Sequence, residues 1–247
     1  MDSGFRPYTR RYSVPEVQRE NKAVNSSMKA VVLFSGGKDS TAALHYAYFG
    51  GFDVKGLCIA KPIEDSLYFH YPYTEVAVLL AQLMGFNYYY DEVSDDINSI
   101  KNFIKNCVDS FGADYIIAGV LRSDFQRVRL EYIAWLLGKK LLAPLWGVDP
   151  VAHLHNLYRM GIRFIIVKSM ARGIPPQIVG KELDLEDIEE LVIASSEYKF
   201  NPAFEGGEAE TLVTKAPLMK KRLITRGEVK VLSDEVLNYF IIHYEIV

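Results

Sequence analysis

Two cysteines in 247 residues, Cys58 and Cys107, are too few for a disulfide framework and too far apart for a paired-thiol or metal motif. In apolar surroundings they read as two small buried hydrophobes of a reduced, cytoplasmic protein. No stretch approaches the roughly 18 uninterrupted apolar residues of a membrane span, so no membrane association is expected. The leader MDSGFRPYTRRYSVPEVQRENKAVNSS lacks the apolar core of a secretory signal. Residues 1–27 are expected to be an extension outside the fold, a tag or an upstream start, with Met28 directly before the first strand-like segment. A strong charge of either sign is also missing. Twenty-eight basic and 31 acidic side chains leave a net charge of −3, which gives no reason to expect direct nucleic-acid binding. The five histidines show no metal spacing, and His153 and His155, two apart on a helix, face different directions. The usual phosphate loop, G-x-x-x-x-G-K-[ST], is absent too: Gly37-Lys38 would need glycine where Val32 stands and a hydroxyl where Asp39 stands.

What is present is ordinary in bulk and specific in detail. Apolar residues make up 49% and charged residues 24%, as in soluble globular proteins, and Tyr and Phe are plentiful. From Met28, strand-length and helix-length segments alternate: strands at 30–34, 53–60, 87–93 and 114–120, helices at 39–49, 72–85, 95–112 and 123–137. Such alternation implies parallel crossovers, hence an α/β doubly wound parallel sheet with both faces covered. The pattern loosens after Pro144. Helices are expected at 150–161 and 184–200, a strand at 163–171, and short β-like pieces (TLVTKAP, KRLITR, EVKVL, NYFIIHYEIV) close the chain as a smaller α+β domain. The expected division is residues 28–147 as a nucleotide-binding domain and 148–247 as a substrate-recognition domain. The basic run KKRLITR (220–226) reads as a solvated face, and the acidic run DLEDIEE as a helix's charged first turn.

In a doubly wound sheet ligands bind at the carboxyl ends of the strands. FSGGKDS (34–40) lies at one such end and GVLRSDFQ (119–126) at another. Gly36 and Gly37 allow the backbone to approach a phosphate closely, the helix beginning near Asp39 adds its positive end, Lys38 adds a point charge, and Ser35 and Ser40 add hydroxyls. An acid beside phosphates is repulsive unless it holds a cation or orients the loop, so Asp39 is the informative residue. The bland alternative is a glycine turn whose Asp39 caps a helix. Ser123 and Gln126 open the later helix at a strand end and are candidates for substrate or nucleotide contact, whereas Arg127 and Glu131 are spaced for a surface ion pair. Trp146 reads as core, with aromatic stacking as the lesser option. EGGEAET (205–211) sets Glu205, Glu208 and Glu210 within one turn-like segment, either an acidic turn or a cation-binding cluster. His45 reads as packing, and His70 sits in a loop within reach of a nucleotide.

The stretch SGGKDS resembles the S-G-G-x-D-S loop of the N-type ATP pyrophosphatases (the PP-loop superfamily, HUP-like in fold). That resemblance implies cleavage of ATP between the α- and β-phosphates, with Mg²⁺ at the departing pyrophosphate, Lys38 its nearest cation, and Asp39 holding the metal or the loop. The chain has no amidotransferase domain and no C-x-x-C pair, so free ammonia or a substrate amine is the expected nucleophile. GVLRSDFQRVRLEYIAWLLGKKLLAPLWG (119–147) and NPAFEGGEAETLV (201–213) resemble segments of the diphthine–ammonia ligases, and the likeness runs essentially from Met28 onward. It departs at Ala203-Phe204, where that family often has Cys-Gly, and at Ala209, where it has an aromatic. The resemblance implies an ATP-dependent ligase acting on the diphthine of translation elongation factor 2, with ammonium as co-substrate. It also implies Ser123, Gln126, Arg129, Glu205, Glu208 and Glu210 on the substrate side. Tyr68, Tyr71 and Tyr73 are candidate walls for a cationic trimethylammonio group. A tRNA- or small-acid-directed adenylating enzyme, a non-catalytic ATP sensor and a homodimer all remain open at this stage.

Overall fold

The computed structural model describes residues 27–62, 74–232 and 236–247. The leader, apart from Ser27, lies outside these residues, as do Tyr68, His70, Tyr71 and Tyr73.

The first half alternates strand and helix: β1 (Lys29–Leu33), α1 (Lys38–Phe49), β2 (Asp53–Pro62), α2 (Thr74–Leu83), β3 (Tyr88–Val93), α3 (Ile97–Phe111), β4 (Tyr115–Ile117), α4 (Asp124–Leu136) and β5 (Lys140–Leu142). The five strands form a parallel sheet in the order β3-β2-β1-β4-β5. The doubly wound sheet is therefore as expected, with β5 an addition that its three residues were too short to signal. Strand alternation decides which layer each residue joins. Ala30 and Val32 of β1 face the layer of α1 and α2, while Val31 faces α3 and α4. Helix α3 shows the complementary period: Ile100, Phe103, Ile104, Cys107 and Val108 lie on its buried face. Its ends are specified by Asp96, whose side chain accepts from the backbone N–H groups of Asn98 and Ser99, and by Gly112 in the left-handed region.

The same alternation overturns the expectation of two free thiols. Cys58 points from β2 toward α3, whose buried face carries Cys107, and the two form a disulfide across 49 positions of sequence. Local sequence around either cysteine gives no sign of a partner. The contact between them is a property of the layered fold.

The second half holds α5 (Pro150–Arg159), β6 (Arg163–Ser169), a 3₁₀ turn (Pro176–Ile178), α6 (Leu185–Tyr198), β7 (Ala209–Lys215), β8 (Leu223–Val231) and β9 (Leu237–Ile246). Its four strands make an antiparallel sheet in the order β7-β6-β9-β8. KRLITR and EVKVL belong to one strand, β8, with a register shift between Arg226 and Gly227. One apolar cluster runs from α1 and α2 into β6, β7 and α6, so the two sheets share a core. A backbone hydrogen bond from Val213 of β7 to the Gly36 carbonyl (2.9 Å) ties the second sheet to the glycine loop.

The site position follows from the strand order. The chain moves from β1 outward through β2 and β3, then returns to the other side of β1 as β4. The crevice at this reversal lies beyond the carboxyl ends of β1 and β4, between the loops that carry Ser35–Gly37 and Gly119–Ser123.

Candidate functional site: a glycine loop facing an acidic turn

The glycine loop is shaped by two close approaches. Gly36 has φ +79°, and a Cβ there would meet Ala77 and Leu80 of α2 at 3.3 Å. Across the crevice, a Cβ on Gly119 would stand 2.6 Å from the Asp39 carbonyl group, so the chain leaving β4 and the start of α1 can touch only through glycine. Ser40 pins the loop from within: its Oγ receives the Ser35 N–H (3.2 Å) and donates to the Gly37 carbonyl (3.1 Å).

The start of α1 differs from those of α3, α4, α5 and α6. Those four helices are capped by the side chains of Asp96, Ser123, Asp149 and Asp184, whereas Gly37 brings no side-chain cap to α1. Such a helix end presents backbone N–H groups and the positive end of the dipole to whatever lies before it. What lies before it is a cavity of about 660 Å³.

Lys38 is 2% exposed. Its ammonium donates to Asp39 Oδ2 (2.7 Å) and to the Ala203 carbonyl (2.6 Å), and sits 5.2 Å from the centre of the Phe204 ring. An ammonium has three donors, so a third is available to the cavity that Lys38 lines. Phe204 adopts φ +64°, an uncommon conformation for a bulky side chain, and this bend brings its ring to Lys38. Asp39 is held from both sides: Lys38 occupies Oδ2, and His153 Nε2 from α5 donates to Oδ1 (2.7 Å). Burial alone would push the Asp39 carboxyl up, but the charge of Lys38 and the hydrogen bond from His153 outweigh it and hold the group at about 2. Asp39 thus stays ionised, and neither of its oxygens lacks a partner. As arranged, the carboxylate does not fit a resident Mg²⁺, and no group of three or more metal-type ligands occurs among the described residues.

The acidic turn behaves differently from its sequence appearance. Glu205 Oε2 accepts the backbone N–H groups of Leu121 (3.2 Å), Arg122 (2.9 Å) and Ser123 (3.1 Å), which fixes the loop after β4. Glu208 accepts from Asn201 N (3.1 Å) and Gly206 N (2.7 Å), closing its own turn. Glu210, on β7 opposite Lys168 of β6, lines the cavity with that lysine.

One cavity therefore gathers Ser35, Gly37, Lys38, Asp39, Ser40, Ser123, Gln126, Arg129, Glu205 and Glu210. Gly36 instead packs on α2, and Glu208 is not among the lining residues. Arg127 pairs with Glu131 (2.6 Å) as its spacing allowed, and its guanidinium lies 4.4 Å from the Trp146 ring centre. Trp146 is 37% exposed, so its assignment to the core is corrected. His45 is packing: Nδ1 donates to the Thr41 carbonyl (2.7 Å), Nε2 accepts the Leu218 N–H (3.2 Å), and burial lowers its pKa. Sequence reasoning missed His153 and also Thr211, whose hydroxyl receives the Lys38 N–H (3.2 Å). Thr211 ends the quoted acidic motif and so carried a signal, but His153, 114 positions from Asp39, carried none.

Family models described as the diphthamide synthase N-terminal domain and C-terminal domain match residues 28–141 and 149–245. The diphthine–ammonia ligase of Danio rerio is 28% identical over 220 residues, covering 80% of the chain and 86% of its own length. That of Schizosaccharomyces pombe is 29% identical over 222 residues, again 80% of the chain, which spans 36% of that longer relative. A solved Methanocaldococcus jannaschii protein, described as a predicted subunit of tRNA methyltransferase, aligns with 76% of the chain and 97% of itself at a TM-score of 0.41 and 18% identity.

Proposed function

The chain belongs to the diphthamide synthase family, and on that premise we propose that it is an ATP-dependent ligase amidating diphthine, the modified histidine of translation elongation factor 2. The observation that carries the reading is the glycine loop at the start of α1, with Lys38 beside it, opening into the same cavity as Gln126, Arg129 and Glu210.

ATP lies with its phosphates at the loop and its base toward the apolar wall of Ile97, Ile100, Phe103 and Ile133. Mg²⁺ arrives as part of the nucleotide substrate. The diphthine carboxylate attacks the α-phosphorus, the α–β bridging bond breaks, and pyrophosphate departs, leaving an acyl-adenylate. The positive end of α1 and the Lys38 ammonium offset the leaving charge, and such fixed groups are worth most in a site shielded from water. Ammonia then attacks the acyl carbon, loses a proton, and expels AMP to give the amide. Asp39 acts on the loop by holding the Lys38 ammonium in place. Glu210, with the rest of the second half, serves the cationic substrate. The setting is cytoplasmic, where the factor works, and among the described residues no helix is long and apolar enough to cross a membrane.

The test is to incubate the chain with ATP, Mg²⁺, ammonium and unamidated factor and to read the factor's mass together with the nucleotide products. The expected result is conversion of the carboxylate to the amide with one AMP and one pyrophosphate formed. ATP binding without pyrophosphate release in that mixture would reject the proposal.

A further inference from the structure

Helix α4 is apolar on two sides. Ile133 and Ala134 are buried against the sheet, with Leu130 and Leu137 packed beside them. Facing solvent are Phe125, Val128, Tyr132, Trp135 and Leu136, at helical spacings of three and four. Trp135 is 72% exposed and Phe125 48%. Singly exposed apolar residues are normal on a protein surface, but a contiguous stripe ending in an open tryptophan marks a surface that is covered in use. The stripe is ordered within itself: the Tyr132 and Trp135 rings stack at 6.2 Å, and the Arg129 guanidinium lies 4.0 Å from the centre of the Phe125 ring.

Its position identifies what covers it. Phe125 belongs both to the stripe and to the cavity wall, so the stripe begins at the cavity mouth. From there to Trp135 is ten residues of helix, about 15 Å. A small acid or an aminoacyl group seated in the cavity cannot reach Trp135. A side chain seated there on a folded protein brings with it a surface that must lie against the rim. The aliphatic members Val128 and Leu136, and the net charge of −3, do not suit a phosphate backbone. Tryptophan, tyrosine and arginine are the residues that carry most of the energy in protein–protein contacts.

We propose that the exposed face of α4 is the docking surface for the protein that carries the acid substrate, so that the first half of the chain holds both the nucleotide and part of the protein partner. This inference rests on the amidation of elongation factor 2 argued above. The experiment measures turnover and direct binding of unamidated factor by the wild-type chain and by the Val128→Ser/Trp135→Ser double variant, with sedimentation of both proteins alone. The altered side chains are exposed and do not line the cavity. The expected result is at least a tenfold rise in KM and Kd for the factor, with kcat at saturating factor and KM for ATP unchanged. Unchanged KM and Kd in the variant, beside a wild-type chain that turns the factor over, overturns the docking surface and leaves the amidation intact. A wild-type chain that is dimeric, a variant that is monomeric and an unchanged KM assign the stripe to a second copy of the chain and overturn it equally. Absence of wild-type turnover removes the amidation and the inference together.

Discussion

The glycine loop and the acidic turn look alike in sequence, each a seven-residue stretch with two glycines and several charges, and they do opposite things with their polar groups. The acidic turn directs its carboxylates largely to the protein's own backbone: Glu205 takes three N–H groups of the loop after β4, and Glu208 takes two from its own segment. The loop brings α1 no cap of its own, Thr211 of β7 taking the Lys38 N–H instead, and surrounds the helix start with groups held from behind, Lys38 by Asp39 and Asp39 by His153. A segment that spends its carboxylates on backbone N–H groups contributes to rigidity, whereas a helix start that is braced from other elements and opens into a cavity is prepared for a ligand. Charge density along the chain cannot separate the two, because the distinction lies in where each partner comes from.

The comparison breaks most sharply at Lys38. Lys38→Ala removes a donor aimed at the cavity, and loss of one such donor costs on the order of 10²–10³ in turnover. It also leaves Asp39 without its nearest positive charge and the Ala203 carbonyl without its partner, so a stability loss of about 2 kcal/mol is expected beside the kinetic one. Pyrophosphate release at saturating ATP and urea denaturation separate the two effects. A variant with wild-type turnover would show that the loop does not grip the departing group.

Glu208→Ala should show the opposite profile. The two backbone N–H groups it serves lose their acceptor, for an expected loss of about 1–2 kcal/mol of stability. KM for both substrates should change less than twofold, because Glu208 does not line the cavity. Isothermal denaturation and steady-state kinetics on the same preparation read both numbers. A selective rise in KM for the protein substrate with unchanged stability would return Glu208 to the substrate side and blur the contrast drawn between the two segments.

How much of this was legible in advance differs between fold and site. The doubly wound sheet follows from local patterns such as KAVVL before a glycine loop and the stripe Ile100, Phe103, Ile104, Cys107 along α3, because apolar period alone specifies a layer. β5 escaped notice because three residues set no period, and KRLITR and EVKVL looked like two strands because the shift at Gly227 interrupts one. At the site, the lining segments were visible, SGGKDS and the stretches that carry Ser123, Gln126, Arg129, Glu205 and Glu210, whereas the contacts that brace the loop from other elements were not. SGGKDS marked a candidate phosphate site by itself. The partners that hold it, His153, Thr211 and the Ala203 carbonyl, come from α5, from β7 and from the turn before β7; Thr211 and Ala203 lie in a quoted motif, but their pairing with Lys38 across more than a hundred positions, like that of His153 with Asp39, leaves no trace in a single sequence. The Cys58–Cys107 bridge was hidden for the same reason.

His153 gives the smallest effect and the finest test, because it touches the loop only through Asp39. Asp39 is held at about 2 in the folded chain against an ordinary 3.8, so the stabilisation it contributes is complete above 3.8 and is lost as the pH falls toward 2. In His153→Ala one of the two groups that depress this carboxyl is gone, and its pKa rises toward the ordinary value. The stability difference between wild type and His153→Ala should therefore be constant above pH 3.8 as far as Asp39 is concerned, and should shrink between 3.8 and 2, where other carboxylates titrate alike in both proteins. Turnover should fall about tenfold, a barrier increase of about 1.4 kcal/mol, as Lys38 loses the fixed anion beside it. His153→Gln, which can still donate to Oδ1, should recover most of both. A stability difference that stays flat from pH 4 to pH 2, with no recovery by glutamine, would reduce His153 to a packing residue of α5 and leave Lys38 as the only brace of Asp39 in the loop.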